Sequence, residues 1–100
     1  MEITALELNE QLKSGTDAQI VDVRESAEVA DGMIAGARHI PLGELPARLG
    51  ELDKTRPVVA VCRSGRRSAA AADQLAAAGF TSYTMTGGML DWSAAGLPAR

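Results

Sequence analysis

Apolar and polar positions alternate along this chain with two different periods. "AQIVDVR", residues 18–24, is a short β-branched run and reads as a buried strand. "RPVVAVC", residues 56–62, is apolar on both faces, as a central parallel strand must be. "SYTMT", residues 82–86, reads as a last short strand, and "ARHIPL", residues 37–42, as a brief extended piece before Pro41. Helical spacing lies between these runs. Thr4 with Glu7 three residues later forms a capping-box pattern, Leu6, Leu8 and Leu12 follow, and Gly15 closes the segment. This predicts a helix over about 5–13. "SAEVADG" gives a helical turn or two, stopped by Gly32. Leu42, Leu45, Leu49 and Leu52 recur at three- and four-residue spacing and predict a helix over 43–52, with Pro46 in its first turn. "RSAAAADQLAAAG" is rich in the best helix former and ends at Gly79. "GGMLDWSAAG" supplies a glycine turn and a terminal helix. Strands alternating with helices argue for an α/β sandwich with a mainly parallel sheet.

Composition narrows the class. One hundred residues suit one domain over 1–100, with no internal repeat or linker. Only Phe80, Tyr83 and Trp92 are aromatic, so the core is aliphatic, and Trp92 is expected to pack the last helix onto the sheet. The formal charge of -3 gives no support to nucleic-acid or membrane binding. The amino-terminal segment lacks the features of a secretory signal, and no apolar run approaches a membrane span. The expectation is a cytoplasmic protein, with nothing that demands an oligomer. One cysteine excludes an internal disulfide, and with one histidine it is too little for a zinc site.

That cysteine carries the candidate chemistry. Cys62 ends the central strand, and a helix begins a few residues later. Ligands of open parallel sheets bind beyond such strand ends. Ser64 and Gly65 permit a tight curl whose amides form an anion nest, and the helix adds its positive end. A free thiol of pKa about 8.5 is about 3% thiolate at neutral pH. A helix end contributing about 0.3–2 kcal/mol, with arginines nearby, raises that fraction. The alternative is an inert buried thiol beside a solvated basic face. Strand end, glycine loop, arginines and helix start together favour an activated nucleophile in an anion cradle.

Six segments then resemble one family. "CRSGRRS", residues 62–68, closely resembles the active-site loop of the rhodanese sulfurtransferases. "IVDVRE" at 20–25 and "DGMIAGARHIPLGEL" at 31–45 are similar to its two other signatures, and "AAAGF", "TGGMLDW" and "GLP" complete the family order. The resemblance implies a rhodanese-like three-layer sandwich: a small, mainly parallel central sheet flanked by helices. It implies no metal and no organic cofactor. It implies a two-step reaction in which Cys62 takes the outer sulfur of a donor such as thiosulfate, becomes a persulfide, and yields it to cyanide, a cellular thiol or a protein. The amides of Arg63, Ser64, Gly65, Arg66 and Arg67 would wrap that persulfide. Rhodanese-like phosphatases have a loop one residue longer, with arginine six positions after the cysteine. Here Arg67 is five after Cys62 and Ser68 is six, which favours sulfur over phosphate. The alternative of another class is a sulfur-carrier or regulatory module with low turnover alone.

The remaining site residues carry paired readings. Arg63 and Arg66 either attract an anionic donor or are solvated charge. Arg67 matches the family's arginine that fixes the loop. Ser68 either bonds toward the sulfur or caps the helix, and capping is the simpler role. Asp22 and Arg24, at the end of the neighbouring strand, form either a charged pocket wall or a structural ion pair, the latter favoured for Asp22. Met33 departs from the family's frequent histidine, which no mechanism requires. His39 reads as a half-buried strand residue rather than a general base.

Overall fold

A computed structural model describes residues 1–100. Five strands form one sheet: β1 (Glu2–Ile3), β2 (Gln19–Asp22), β3 (Arg38–His39), β4 (Val58–Val61) and β5 (Ser82–Met85). Their spatial order is β1-β5-β4-β2-β3, and every pairing is parallel. Helices α1 (Ala5–Ser14), α2 (Ser26–Val29), α3 (Leu45–Arg48), α4 (Arg66–Ala77) and α5 (Gly88–Ala94) connect or follow them. The α/β architecture with a parallel sheet is the one the pattern predicts.

The alternation within β4 builds two cores. Val58, Ala60 and Cys62 face one way and pack with Leu45, Ala71, Leu75 and Phe80. Val59 and Val61 face the other way, against Leu8, Met85, Met89 and Trp92. Small side chains let α4 lie close to the sheet: Ala71 and Ala72 are buried, and Ser82 Oγ donates to the Ala72 carbonyl at 2.7 Å. Trp92 is buried on the opposite face and its indole N–H donates to Pro98 O at 3.0 Å. The Thr4–Glu7 capping box is present in both directions, and Gly15 ends α1 in a left-handed conformation.

Two elements differ from the pattern's reading. The segment 43–52 is not one helix. It divides into a 3-10 turn at Leu42–Glu44, the single α turn of α3, and another 3-10 turn at Leu49–Glu51. Gly43, Pro46 and Gly50 supply too little helix propensity to sustain ten residues, although Pro46 does sit in the first turn of α3. The edge strand β1 is an addition. Two residues carry no detectable period, and the strand forms because Thr84 and Thr86 N–H groups reach the carbonyls of Met1 and Ile3.

The chain steps from β2 outward to β3, then returns to the other side of β2 and continues from β4 to β5. The divergence leaves a crevice at the carboxyl ends of β2 and β4, where Cys62 lies. Behind Cys62 stands the amino-terminal turn of α5. Met89 N–H donates to Cys62 O at 2.8 Å, and Leu90 N–H donates to Arg63 O at 3.0 Å. Only glycine permits that approach at residue 88. Its φ is +58°, and a Cβ there would fall 2.5 Å from both of those carbonyl oxygens. Gly88→Ala is therefore expected to destabilise the fold by about 2–4 kcal/mol, from left-handed strain plus the clash. Gly43→Ala, with open space and no positive φ, is the control and stays within about 1 kcal/mol. Urea unfolding of both variants checks this; equal stability would show that α5 does not press on the loop.

Candidate active site

Cys62 follows β4 directly, and α4 starts four residues later at Arg66. Gly65 makes this tight connection by adopting φ +106°. The sulfur lies inside the curl, with the residue only 1% exposed. Gly65 N–H donates to Sγ at 3.0 Å. Ser68 Oγ lies 3.4 Å from Sγ. Burial pushes the thiol pKa up, but the Ser68 hydroxyl and the amides of Ser68, Gly65 and Ser64 outweigh it, and the net direction is down. Hydrogen bonds to the charged form are thus the main cause, rather than arginine charge.

The arginines of the loop divide into two kinds. Arg63 and Arg66 are exposed. Arg67 turns back and forms a two-pronged pair with Glu28 of α2, at 2.5 and 2.7 Å. Its guanidinium holds the Glu28 carboxyl at about 2, well below the usual range, with help from the Glu25 backbone. Arg67 is itself raised by Glu28 first, and in smaller part by Cys62. The pair ties the α2 segment to the start of α4.

Ser68 does not cap the helix. Gly65 is the N-cap, so Ser68 is the third helical residue, fully buried and turned inward. Its hydroxyl meets Gly65 O at 3.1 Å and Thr84 Oγ1 at 2.6 Å, as well as the sulfur. Thr84 on β5 and Glu28 on α2 are parts of the site that the sequence pattern does not single out. Each joins through one long-range contact, which leaves no local period or spacing.

Asp22 and Arg24 form a buried, multiply bonded pair. Arg24 Nε donates to Asp22 Oδ1 and Oδ2 at 2.9 and 3.0 Å, and Nη2 to Oδ2 at 2.7 Å. Arg24 also holds the Gly32 carbonyl at 2.7 Å. The pair therefore anchors the β2–β3 connection. Arg24 additionally borders a cleft of about 330 Å³ shared with Arg63, Leu90 and Trp92, whereas Asp22 does not. On the other side of the loop, Ser64, Gly65, Arg66 and Thr84 line a more open hollow of about 360 Å³. His39 is half-buried and its Nε2 contacts Arg24 O at 2.7 Å.

The Glu28–Arg67 pair has a definite pH signature. Glu28 titrates near 4.5 when unfolded and near 2 when folded, so its contribution to stability is complete above about pH 4.5. It is lost as pH falls from there through about 2. The stability difference between wild type and Glu28→Gln should be constant above pH 5 and shrink between 4.5 and 2, read as urea midpoints. A difference that stays constant to pH 2 contradicts the pair.

Comparison with known proteins places this geometry. Residues 4–95 match the family model of the rhodanese-like domain. A protein named sulfurtransferase from Allochromatium vinosum is 39% identical, over 97% of this chain and 92% of its own length. The thiosulfate sulfurtransferase GlpE of Stutzerimonas stutzeri is 36% identical, over 75% of this chain and 70% of its own. A rhodanese-related protein from Thermoplasma volcanium superposes with a TM-score of 0.91 at 32% identity, covering 99% of this chain and 96% of that one. With its five-stranded parallel sheet and the loop after β4, the chain belongs to the rhodanese-like domain family.

Proposed function

We propose that this protein is a sulfurtransferase that moves sulfane sulfur through a persulfide on Cys62. The carrying observation is a buried thiol whose sulfur is hydrogen-bonded by Gly65 N–H at 3.0 Å at the start of a helix. Family membership and relatives named sulfurtransferases support the same chemistry.

In the first step the Cys62 thiolate attacks the outer sulfur of thiosulfate or of a small persulfide. A new S–S bond forms on Sγ, the donor's S–S bond breaks, and its electron pair leaves with sulfite or with the donor thiolate. The terminal sulfur now carries the charge, inside the curl lined by the loop from Arg63 to Arg67. Preorganised amides stabilise it without reorganisation. In the second step cyanide, a small thiol or a protein thiol attacks that terminal sulfur, and the Cys62 thiolate departs. The same hydrogen bonds that lower the thiol pKa make it a competent leaving group. Exposed Arg63 and Arg66 flank the loop and favour an anionic donor. The five-residue interval from Cys62 to Arg67 leaves a cradle sized for sulfur rather than for a phosphate ester.

The test is intact mass after brief incubation with thiosulfate in the absence of reductant. Wild type should gain one sulfur and Cys62→Ala none, with both variants folded. Cys62→Ser should also stay unmodified, because a hydroxyl is far less acidic than a thiol. Thiosulfate:cyanide transfer should fall to background in both variants, and aryl phosphate hydrolysis should be undetectable in wild type. Sulfur gain by Cys62→Ala would remove Cys62 from the mechanism.

A further inference from the structure

Ser68 Oγ has three polar neighbours and only one proton. Thr84 Oγ1 is at 2.6 Å, Gly65 O at 3.1 Å and Cys62 Sγ at 3.4 Å. A hydroxyl donates once and accepts through two lone pairs. Gly65 O can only accept. A thiolate sulfur can only accept, while a neutral thiol can donate to Ser68. With a neutral thiol, Ser68 therefore donates to Gly65 O and accepts from both Thr84 and the thiol. Once the sulfur is charged, the strongest acceptor beside Ser68 is Sγ, and its proton turns there. That turn requires that Ser68 not spend its proton on Thr84.

We propose, taking Cys62 as the nucleophile, that Thr84 is a positioning residue. It donates its hydroxyl proton to Ser68 Oγ, and so leaves the Ser68 proton free to follow the charge on the Cys62 sulfur. Thr84 reaches this position through the sheet: it pairs with Ala60 in the register of β4 and β5, two residues before Cys62. Its hydroxyl touches Ser68 and not the sulfur, so it acts through Ser68 alone. A donor feeding a donor strengthens the final bond, because hydrogen-bonded chains polarise one another.

The device distinguishes the two states of the reaction. In the thiolate, the form that attacks the donor, the charge sits on Sγ, beside Ser68. In the persulfide it sits on the terminal sulfur, and Sγ is neutral and divalent. The Ser68 proton then returns to Gly65 O. Ser68 and Thr84 thus favour the thiolate over the persulfide, which assists departure of Cys62 when the acceptor takes the sulfur. The other charged groups around this cluster are Arg67 with its partner Glu28, Arg63 and Arg66 in the loop, and Glu2 of β1, whose carboxylate accepts from Thr86 Oγ1 at 3.2 Å. None of them contacts Thr84 Oγ1 or Ser68 Oγ.

The test is the pH dependence of iodoacetamide alkylation of the single cysteine, followed by mass. It reads the thiolate directly and needs no sulfur transfer, so it stands apart from the persulfide assay on wild type. Thr84→Val keeps the shape and removes the hydroxyl. Its alkylation midpoint should move to higher pH, with rates about three- to tenfold slower below the midpoint, the worth of one hydrogen bond. Thr84→Ser should restore the wild-type profile. In a Ser68→Ala background, Thr84→Val should add no further shift. An unchanged midpoint in folded Thr84→Val overturns the proposal. So does a full additional shift in the Ser68→Ala background, which would mean that Thr84 acts independently of Ser68. If the Val variant does not fold, Thr84→Ala in the same two backgrounds decides between the same outcomes.

Discussion

Two hydrogen bonds decide which way the sulfur loop faces. Met89 and Leu90, at the free amino-terminal end of α5, take the carbonyls of Cys62 and Arg63. In a planar trans peptide the next N–H points the opposite way. The amides of Arg63 and Ser64 are therefore turned away from α5, and the Ser64 amide is among those that favour the charged sulfur. Cys62 itself belongs to the core on the α4 side of the sheet, while Met89 belongs to the core on the α5 side. One helix end satisfies the loop's acceptors from behind. The other, at α4, supplies donors from the front. The loop is a backbone strip held between two helix amino termini, and its polarity follows from that placement.

The fixed charges around this strip serve position more than chemistry. Asp22 and Arg24 are buried against each other, and Arg24 also donates to the backbone carbonyls of Glu28 and Gly32, so their worth is in holding the β2–β3 connection in place. Removing either would leave the other uncompensated, the costly way to break a buried pair. Glu28 performs the same service for Arg67. The arginine-rich character of the loop is thus only partly electrostatic. One of its three arginines is spent on anchoring, and the thiol is tuned chiefly by a hydroxyl and by amides.

The legible parts of the site are those written in local sequence. Cys62 at a strand end, Gly65 in the curl and the alanine-rich helix behind it sit within one continuous stretch, and each has a period or a conformational demand of its own. Ser68 shows the limit. A serine near a helix start is ordinarily a cap, but glycine takes the N-cap here with a left-handed φ, which moves Ser68 into the first turn and toward the sheet. Thr84 and Glu28 lie 16 and 39 residues from their partners Ser68 and Arg67. Their roles exist only once the β5 register and the α2 turn are in place. The broken helix at 42–51 has a related cause: leucine spacing signalled a face to bury, but glycines and a proline determined how the backbone buries it.

The Ser68 hydroxyl and backbone amides, all oriented by the fold, favour the charge on the sulfur. The direct measurement is the amide proton shift of Gly65 and Ser68 by NMR, followed across the ionisation of Cys62. Both should move downfield together, with the midpoint at which the thiolate forms, while the amide of Gly50, an exposed residue far from the loop in sequence, stays still. A thiolate that forms with the Gly65 and Ser68 amides unmoved would contradict it.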